Sequence, residues 1–281
     1  MGLSIGGSKD YDRLIALCSE AIRLDPNYNW AYDARGTFYK YKGYNDRALV
    51  DITEAIRLDP TQYQHYRSRA QIYRETGNYD RAIADYTEAI RVARVDLRWS
   101  LYSDRAKVYV EKGDYDRAIA DYTERIRLDP KMWSSYSSRA EVYVKKGDYD
   151  RAIADYTEAI RLDPKAYAYS KRAEVYAAKG DYDRAIADFT EAIRLEPNAS
   201  RYSERGEMYS DKGDYDRAIA DFTEAIRLNP KSAYAYSMRG YVYAKKKDYI
   251  NAIPDYEAAL RIDPNRTTTR NNLEIARKQV R

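Results

Sequence analysis

The sequence predicts an all-α fold, a solenoid of stacked helical hairpins. Three observations carry that prediction. A block of about 34 residues recurs along the chain. Its second half is Gly-Asp-Tyr-Asp-Arg-Ala-Ile-Ala-Asp-Tyr-Thr-Glu-Ala-Ile-Arg-Leu-Asp-Pro, which returns almost unchanged from Gly113, Gly147, Gly180 and Gly213. Looser copies begin at Lys9, Gly43, Gly77 and Lys247. Within each copy, small and aromatic residues fall three and four apart, which places them on one face of a helix. Glycine separates two helical segments in most copies, and proline closes most of them. A unit this short cannot bury its own apolar face, so its copies must stack.

Composition narrows the function classes. The chain has 281 residues, 33% of them charged, yet its net charge is only +4, so opposite charges are interleaved. That disfavours nucleic acid, which selects a basic face or stripe. No apolar run approaches the length of a membrane span. A single cysteine, Cys18, allows no intrachain disulfide. The 32 tyrosines are mostly periodic, which makes them structural first.

In sequence order, residues 1–8 lack the apolar core of a secretory signal and read as a flexible lead-in. The expected location is therefore soluble and cytoplasmic. Residues 9–28 form a second-helix segment with no first helix before it, an unpaired N-terminal helix. Seven hairpins follow, at 29–62, 63–98, 99–132, 133–165, 166–198, 199–232 and 233–266. The copy from Tyr136 to Pro164 shows the logic. Tyr136, Ala140 and Tyr143 mark one face of the first helix, and Gly147 suits the left-handed turn that ends it. Ala152, Tyr156 and Ala159 mark the second helix, which Pro164 stops. The alanines let helix axes approach while the tyrosines fill the space beside them. Residues 267–281 are polar and read as the capping helix such a stack needs.

The spacing Tyr136-x2-Arg139-Ala140-x2-Tyr143, then Ala152-x3-Tyr156, Ala159 and Pro164, resembles the tetratricopeptide repeat family. That family's pattern is Trp-x2-Leu-Gly-x2-Tyr, then Ala-x3-Phe, then Pro. The resemblance covers almost the whole sequence. It implies a right-handed superhelix whose first helices line a concave groove that binds protein segments. One departure is systematic. The family's Leu is Arg here, at Arg35, Arg69, Arg105, Arg139, Arg172, Arg205 and Arg239. Each second helix carries an Asp: Asp51, Asp85, Asp121, Asp155, Asp188, Asp221 and Asp255. A bidentate, partly buried Arg-Asp pair inside each hairpin is the expectation. A local irregularity lies between Ile90 and Trp99, where the Asp-Pro is missing and residues are inserted. Arg125 also replaces the small residue that Ala159 represents, which predicts looser packing around 92–125 and a bend there.

If first helices line the groove, its candidate lining is Trp30 in the first hairpin, Arg67 and Gln71 in the second, and Lys107 in the third. Ser137 with Glu141, Ser170 with Glu174, and Ser203 with Glu207 follow, and Tyr234 and Tyr241 complete it. Neighbouring helices lie roughly 8–10 Å apart, and an extended strand advances about 3.3 Å per residue. The glutamate row would then meet every third residue of a strand-like ligand and favour a Lys- or Arg-rich segment, with tyrosines for stacking. A carboxylate clamp of the kind some family members carry is absent, because Asp104, Ser134 and Ser138 occupy its later positions.

No catalytic set emerges. His65, the single histidine, is expected on a helix surface, and Cys18 is expected as a small buried apolar group. No cluster suits zinc or calcium, and glycines occur singly rather than in a phosphate-cradling loop. No cofactor is implied. The expected function is a non-enzymatic scaffold that binds an extended or helical segment of another protein. The alternative is a self-assembling structural protein, in which exposed ends stack end to end or the half-repeat at 9–28 accepts a first helix from another copy, or a consensus-like engineered repeat scaffold. The near-identical second helices fit recent duplication or a consensus-derived sequence, while the varying repeat lengths favour a natural history.

Overall fold

A computed structural model describes residues 8–280, so the expected lead-in lies outside the described residues except for Ser8. The protein divides into two compact units, Met1–Lys146 and Gly147–Arg281. The first contains α1 (Ser8–Leu24), α2 (Asn29–Tyr41), α3 (Asn45–Leu58), α4 (Tyr63–Glu75), α5 (Tyr79–Val92), α6 (Arg98–Lys112), α7 (Tyr115–Leu128) and α8 (Trp133–Lys146). The second contains α9 (Tyr149–Leu162), α10 (Ala166–Ala178), α11 (Tyr182–Leu195), α12 (Ala199–Asp211), α13 (Tyr215–Leu228), α14 (Ala233–Lys245), α15 (Tyr249–Ile262) and α16 (Thr267–Gln279). Among the described residues there is no strand, and the fold is an all-α solenoid. Within each unit, every helix packs on its sequence neighbours. First helices also touch one another, as α2 does α4 and α12 does α14.

Local chemistry sets the helix ends. Asp114, Asp181, Asp214 and Asp248 each accept a hydrogen bond from the backbone N–H three residues on, at 3.2–3.3 Å. Such a cap satisfies a backbone donor that the first turn leaves unpaired. The first helix of a hairpin stops at a residue with positive φ. That residue is Gly113 (+83°) in the third hairpin and Lys247 (+62°) in the last, where a side chain bears the strain that glycine avoids elsewhere.

The core is built from alanine and aromatic rings. Ala106 and Ala118 are fully buried beside Tyr109 and Tyr122. Ala173 and Ala185 pack with Tyr176 and Phe189, and Tyr209, Ala218 and Phe222 pack with Val242. Burying one such ring contributes about 1.5–3 kcal/mol.

The Arg-Asp pairs form. Arg35–Asp51, Arg69–Asp85 and Arg105–Asp121 in the first unit are bidentate, with Nε and Nη2 each donating to one carboxylate oxygen at 2.7–2.9 Å. Arg172–Asp188, Arg205–Asp221 and Arg239–Asp255 in the second unit repeat the geometry at 2.7–2.8 Å. Each guanidinium has a third function that the sequence pattern does not announce. Its Nη1 reaches back to a hydroxyl on the preceding second helix, as from Arg105 to Thr87 at 2.8 Å and from Arg205 to Thr190 at 3.0 Å. Arg139 donates in the same way to Thr123 at 2.9 Å. On α1, Ser19 takes the threonine's place and accepts from Arg35 at 3.1 Å. One arginine therefore closes its own hairpin and ties it to the hairpin before.

Three expectations need correction. His65 is fully buried rather than on a surface, because it fills the space between α2 and α4 under Trp30. Cys18 is only half-buried, and among the described residues no helix precedes α1 to cover that side. The inserted segment after α5 does not loosen the core. It forms a 3-10 turn at Val95–Leu97, and Arg98 Nε closes it onto the Ala93 carbonyl at 3.0 Å. Leu101 and Val108 on α6 are then fully buried in one cluster with Tyr86 and Ala89.

Candidate peptide-binding surface

In the first unit, the predicted lining residues of α2, α4 and α6 form an interlocked polar surface. Trp30 is 39% exposed and meets the His65 ring edge to face at 4.7 Å. His65 Nδ1 lies 3.2 Å from an Asp33 carboxylate oxygen. Arg67 crosses from α4 to α6 and donates to Asp104 at 2.8 Å. Lys40 pairs with Glu75, and Arg74 pairs with Glu111, so neighbouring first helices are bridged by opposite charges. Gln71 is half-buried and Lys107 exposed. On α8, Glu141 is exposed, whereas Ser137 is 3% exposed and lies beneath the surface.

In the second unit, Ser170 and Ser203 are likewise buried, at 8% and 7% exposure. Ser203 donates to the Ala199 carbonyl of its own helix at 3.0 Å, and Ser170 accepts from Arg201 at 3.3 Å. These hydroxyls are occupied by packing. Glu174 is exposed and receives Lys171 Nζ at 2.9 Å. Glu207 is half-buried on α12 and accepts the Tyr234 hydroxyl from α14. Burial raises the Glu207 carboxyl above the usual glutamate range, and the Tyr234 hydrogen bond opposes that shift. Burial and the neighbouring carboxylate push the Tyr234 hydroxyl up in turn.

Tyr241 stands next along α14, on the wall of a cleft of about 710 Å³ that Asp211, Met238, Arg266, Thr268 and Asn272 also line. The structure thus brings Glu207, Tyr234 and Tyr241 onto two adjoining first helices. A carboxylate beside an exposed ring can hold a cation and stack its aliphatic stem.

Among the described residues, no group of three or more His, Cys, Asp or Glu side chains is placed to hold a metal ion. No helix there is long and apolar enough to cross a membrane. Sequence reasoning missed the Trp30–His65 stack and the Arg67–Asp104 bridge. Both join residues of different hairpins, and nothing in the repeat spacing selects which neighbours meet.

The tetratricopeptide repeat profile matches residues 34–96, 103–167, 137–200, 170–208 and 203–267. No curated protein matches the sequence. Among solved structures, the MamA protein is 25% identical with a TM-score of 0.55, over 60% of this sequence and 94% of that one. YrrB, described as a TPR protein with an unusual peptide-binding site, is 22% identical with a TM-score of 0.56, over 66% and 96%. The C-terminal part of a TPR repeat-containing protein from Cytophaga hutchinsonii is 19% identical with a TM-score of 0.71, over 85% and 98%. With its repeat spacing, its hairpin stack and a profile matched along most of its length, the protein belongs to the tetratricopeptide repeat family.

Proposed function

We propose that this protein is a non-catalytic interaction scaffold that binds an extended segment of a partner protein across its first helices. The observation that carries this reading is the half-buried Glu207 carboxylate bonded to the exposed Tyr234 ring, with Tyr241 exposed further along the same first helix as Tyr234. That chemistry suits a Lys- or Arg-bearing segment, with Glu174 on the neighbouring first helix offering a second acidic position. A fold neighbour described by its peptide-binding site supports the class of ligand, not its sequence.

The test is a peptide array of random and charge-biased sequences, run beside a Glu141/Glu174/Glu207→Lys variant. Basic peptides should bind the parent protein and lose affinity in the variant. Their binding should also weaken on acidification. A carboxyl with a raised pKa keeps its charge above that pKa and loses it as pH falls, here sooner than an ordinary glutamate. Equal binding of basic peptides to both proteins would sink the acidic-row reading. Binding to neither would sink the peptide reading itself.

A second reading, self-association, has its own observation. Leu17 and Leu24 on α1 are 58% and 71% exposed, and among the described residues no helix precedes α1 to cover them. A mass that rises with concentration in light scattering would favour it.

A further inference from the structure

Six second helices share one fully buried small residue: Ala55, Ala89, Ala159, Ala192, Ala225 and Ala259. At the same position α7 carries Arg125, which is only 8% exposed. Its guanidinium lies 5.5 Å from the Trp99 ring. Nη1 is 3.5 Å from Ser103 Oγ, while Nη2 is 3.0 Å from Met132 Sδ and 3.5 Å from Ser134 Oγ. Nε is buried with no partner. These acceptors are neutral, and most are distant, so five strong donors are poorly served.

No carboxylate pairs with Arg125 among the described residues. Asp104 is engaged by Arg67 at 2.8 Å, and Asp129 accepts the Lys131 backbone N–H at 3.0 Å. The hairpin guanidiniums of Arg105 and Arg205, by contrast, each have a carboxylate at 2.7–2.9 Å on two nitrogens. The electrostatics diverge accordingly. Burial pulls the Arg125 guanidinium below its usual range, whereas Arg205 and Arg239 are held above it by their aspartates. A buried charge without a counter-ion is strongly unfavourable, and alanine at this position would avoid that penalty.

Ser103 and Trp99 belong to α6 and Ser134 to α8, both first helices, and Trp99 is 40% exposed. The Arg125 side chain thus runs from a second helix to groups on two first helices, beside the partly exposed Trp99. We propose that Arg125, with Trp99, Ser103 and Ser134, is the receptor for a carboxylate of the bound segment, supplied by an Asp or Glu side chain or by the segment's own free C-terminus. The incoming group would give the guanidinium the acceptor that Asp gives its counterparts, with the serine hydroxyls as further donors. The inference rests on the peptide-scaffold reading and adds an acidic requirement to its ligand.

The full-length protein is panned against three random peptide libraries. One has a fixed central glutamate and an amidated C-terminus, one has glutamine in its place, and one has glutamine with a free C-terminal carboxylate. A fourth library with a fixed central lysine serves as reference. Either acidic library should bind about tenfold better than the neutral one, and whichever wins identifies the source of the carboxylate. Arg125→Ala should abolish that preference. This variant restores the residue that six other hairpins bury, so it should fold and melt no lower than the parent.

Equal binding of acidic and neutral libraries overturns the assignment, as does an acidic preference that survives in Arg125→Ala. Lysine peptides that bind while acidic ones do not would sink this inference and leave the scaffold reading intact. No binding by any library would end both.

Discussion

Arg205 and Asp221 show what one buried position demands. The Asp221 side chain is 8% exposed and the Arg205 side chain 16%, and two hydrogen bonds join them at 2.7–2.8 Å. Breaking such a pair from one side leaves a charge in a poorly solvated site, at a cost of about 3–5 kcal/mol. Replacing both members with apolar residues is often neutral. Asp221→Ala should therefore strip hydrogen-exchange protection from α12 and α13, whereas Arg205→Met with Asp221→Leu should largely keep it. Exchange is the appropriate readout, because a repeat stack need not unfold as one unit. Equal losses in the single and double variants would show that packing, not an abandoned charge, sets the cost. The pairing was legible in the sequence because an Arg and an Asp recur together through seven copies. Its third hydrogen bond was not, since the threonine lies in the preceding copy and looks like a surface residue. Arg125 was legible as an exception, but its contacts with Trp99 and Ser134 were not, because only folding brings those residues near.

At the scale of the element, α16 shows how a helix gains meaning from what it covers. Its sequence is polar, yet Thr269, Leu273 and Ala276 are 1%, 6% and 1% exposed. Leu273 and Ala276 pack with Ala252 and Tyr256 of α15, and Thr269 shares a 2.7 Å hydrogen bond with Ser237 of α14. Three buried positions in a helix of thirteen residues are enough for a cap, since its outer face must stay wet. Burial of Leu273 alone contributes about 1.5–3 kcal/mol. Deleting 267–281 should bare the Tyr256 face, lower solubility and reduce exchange protection in α14 and α15. Protection in α10 and α11 should persist, because each hairpin contacts only its neighbours. Unchanged protection in α15 would reduce α16 to an appendage. Helices of this kind could be read from periodicity, whereas the turn at Val95–Leu97 could not, because an insertion says nothing about whether it bulges or packs. The structure answers with Arg98, whose bond to the Ala93 carbonyl closes the turn and lets Leu101 reach the core.

Over the whole molecule, the near balance of charge resolves into a surface ladder. Lys42, Lys112 and Lys146 in the first unit reach Asp12, Asp80 and Asp116 on the preceding second-helix copy. Lys179, Lys212 and Lys246 repeat this in the second unit with Asp150, Asp183 and Asp216. Thr76 interrupts the series at the second hairpin. Interleaved charge was readable from the composition, but the partnership between successive copies required the stack. Ladders of this kind invite the idea that surface ion pairs hold the repeats together, and physical magnitudes argue otherwise. The aspartates remain 63–84% exposed, and ion pairs so open to solvent contribute little. Each lysine also sits at a helix C-terminus and most of the aspartates in a first turn, so part of their stabilisation comes from their own helix dipoles. The buried aromatic and alanine contacts, together with the arginine staples, are shielded from solvent ions. Raising salt from about 0.01 M to about 1 M shortens the Debye length from about 30 Å to about 3 Å. Thermal melting followed by circular dichroism should then shift by only a few degrees, with the helical signal at low temperature unchanged. A collapse of the melting temperature across that range would show that the exposed ladder, and not the buried interface, carries the stack.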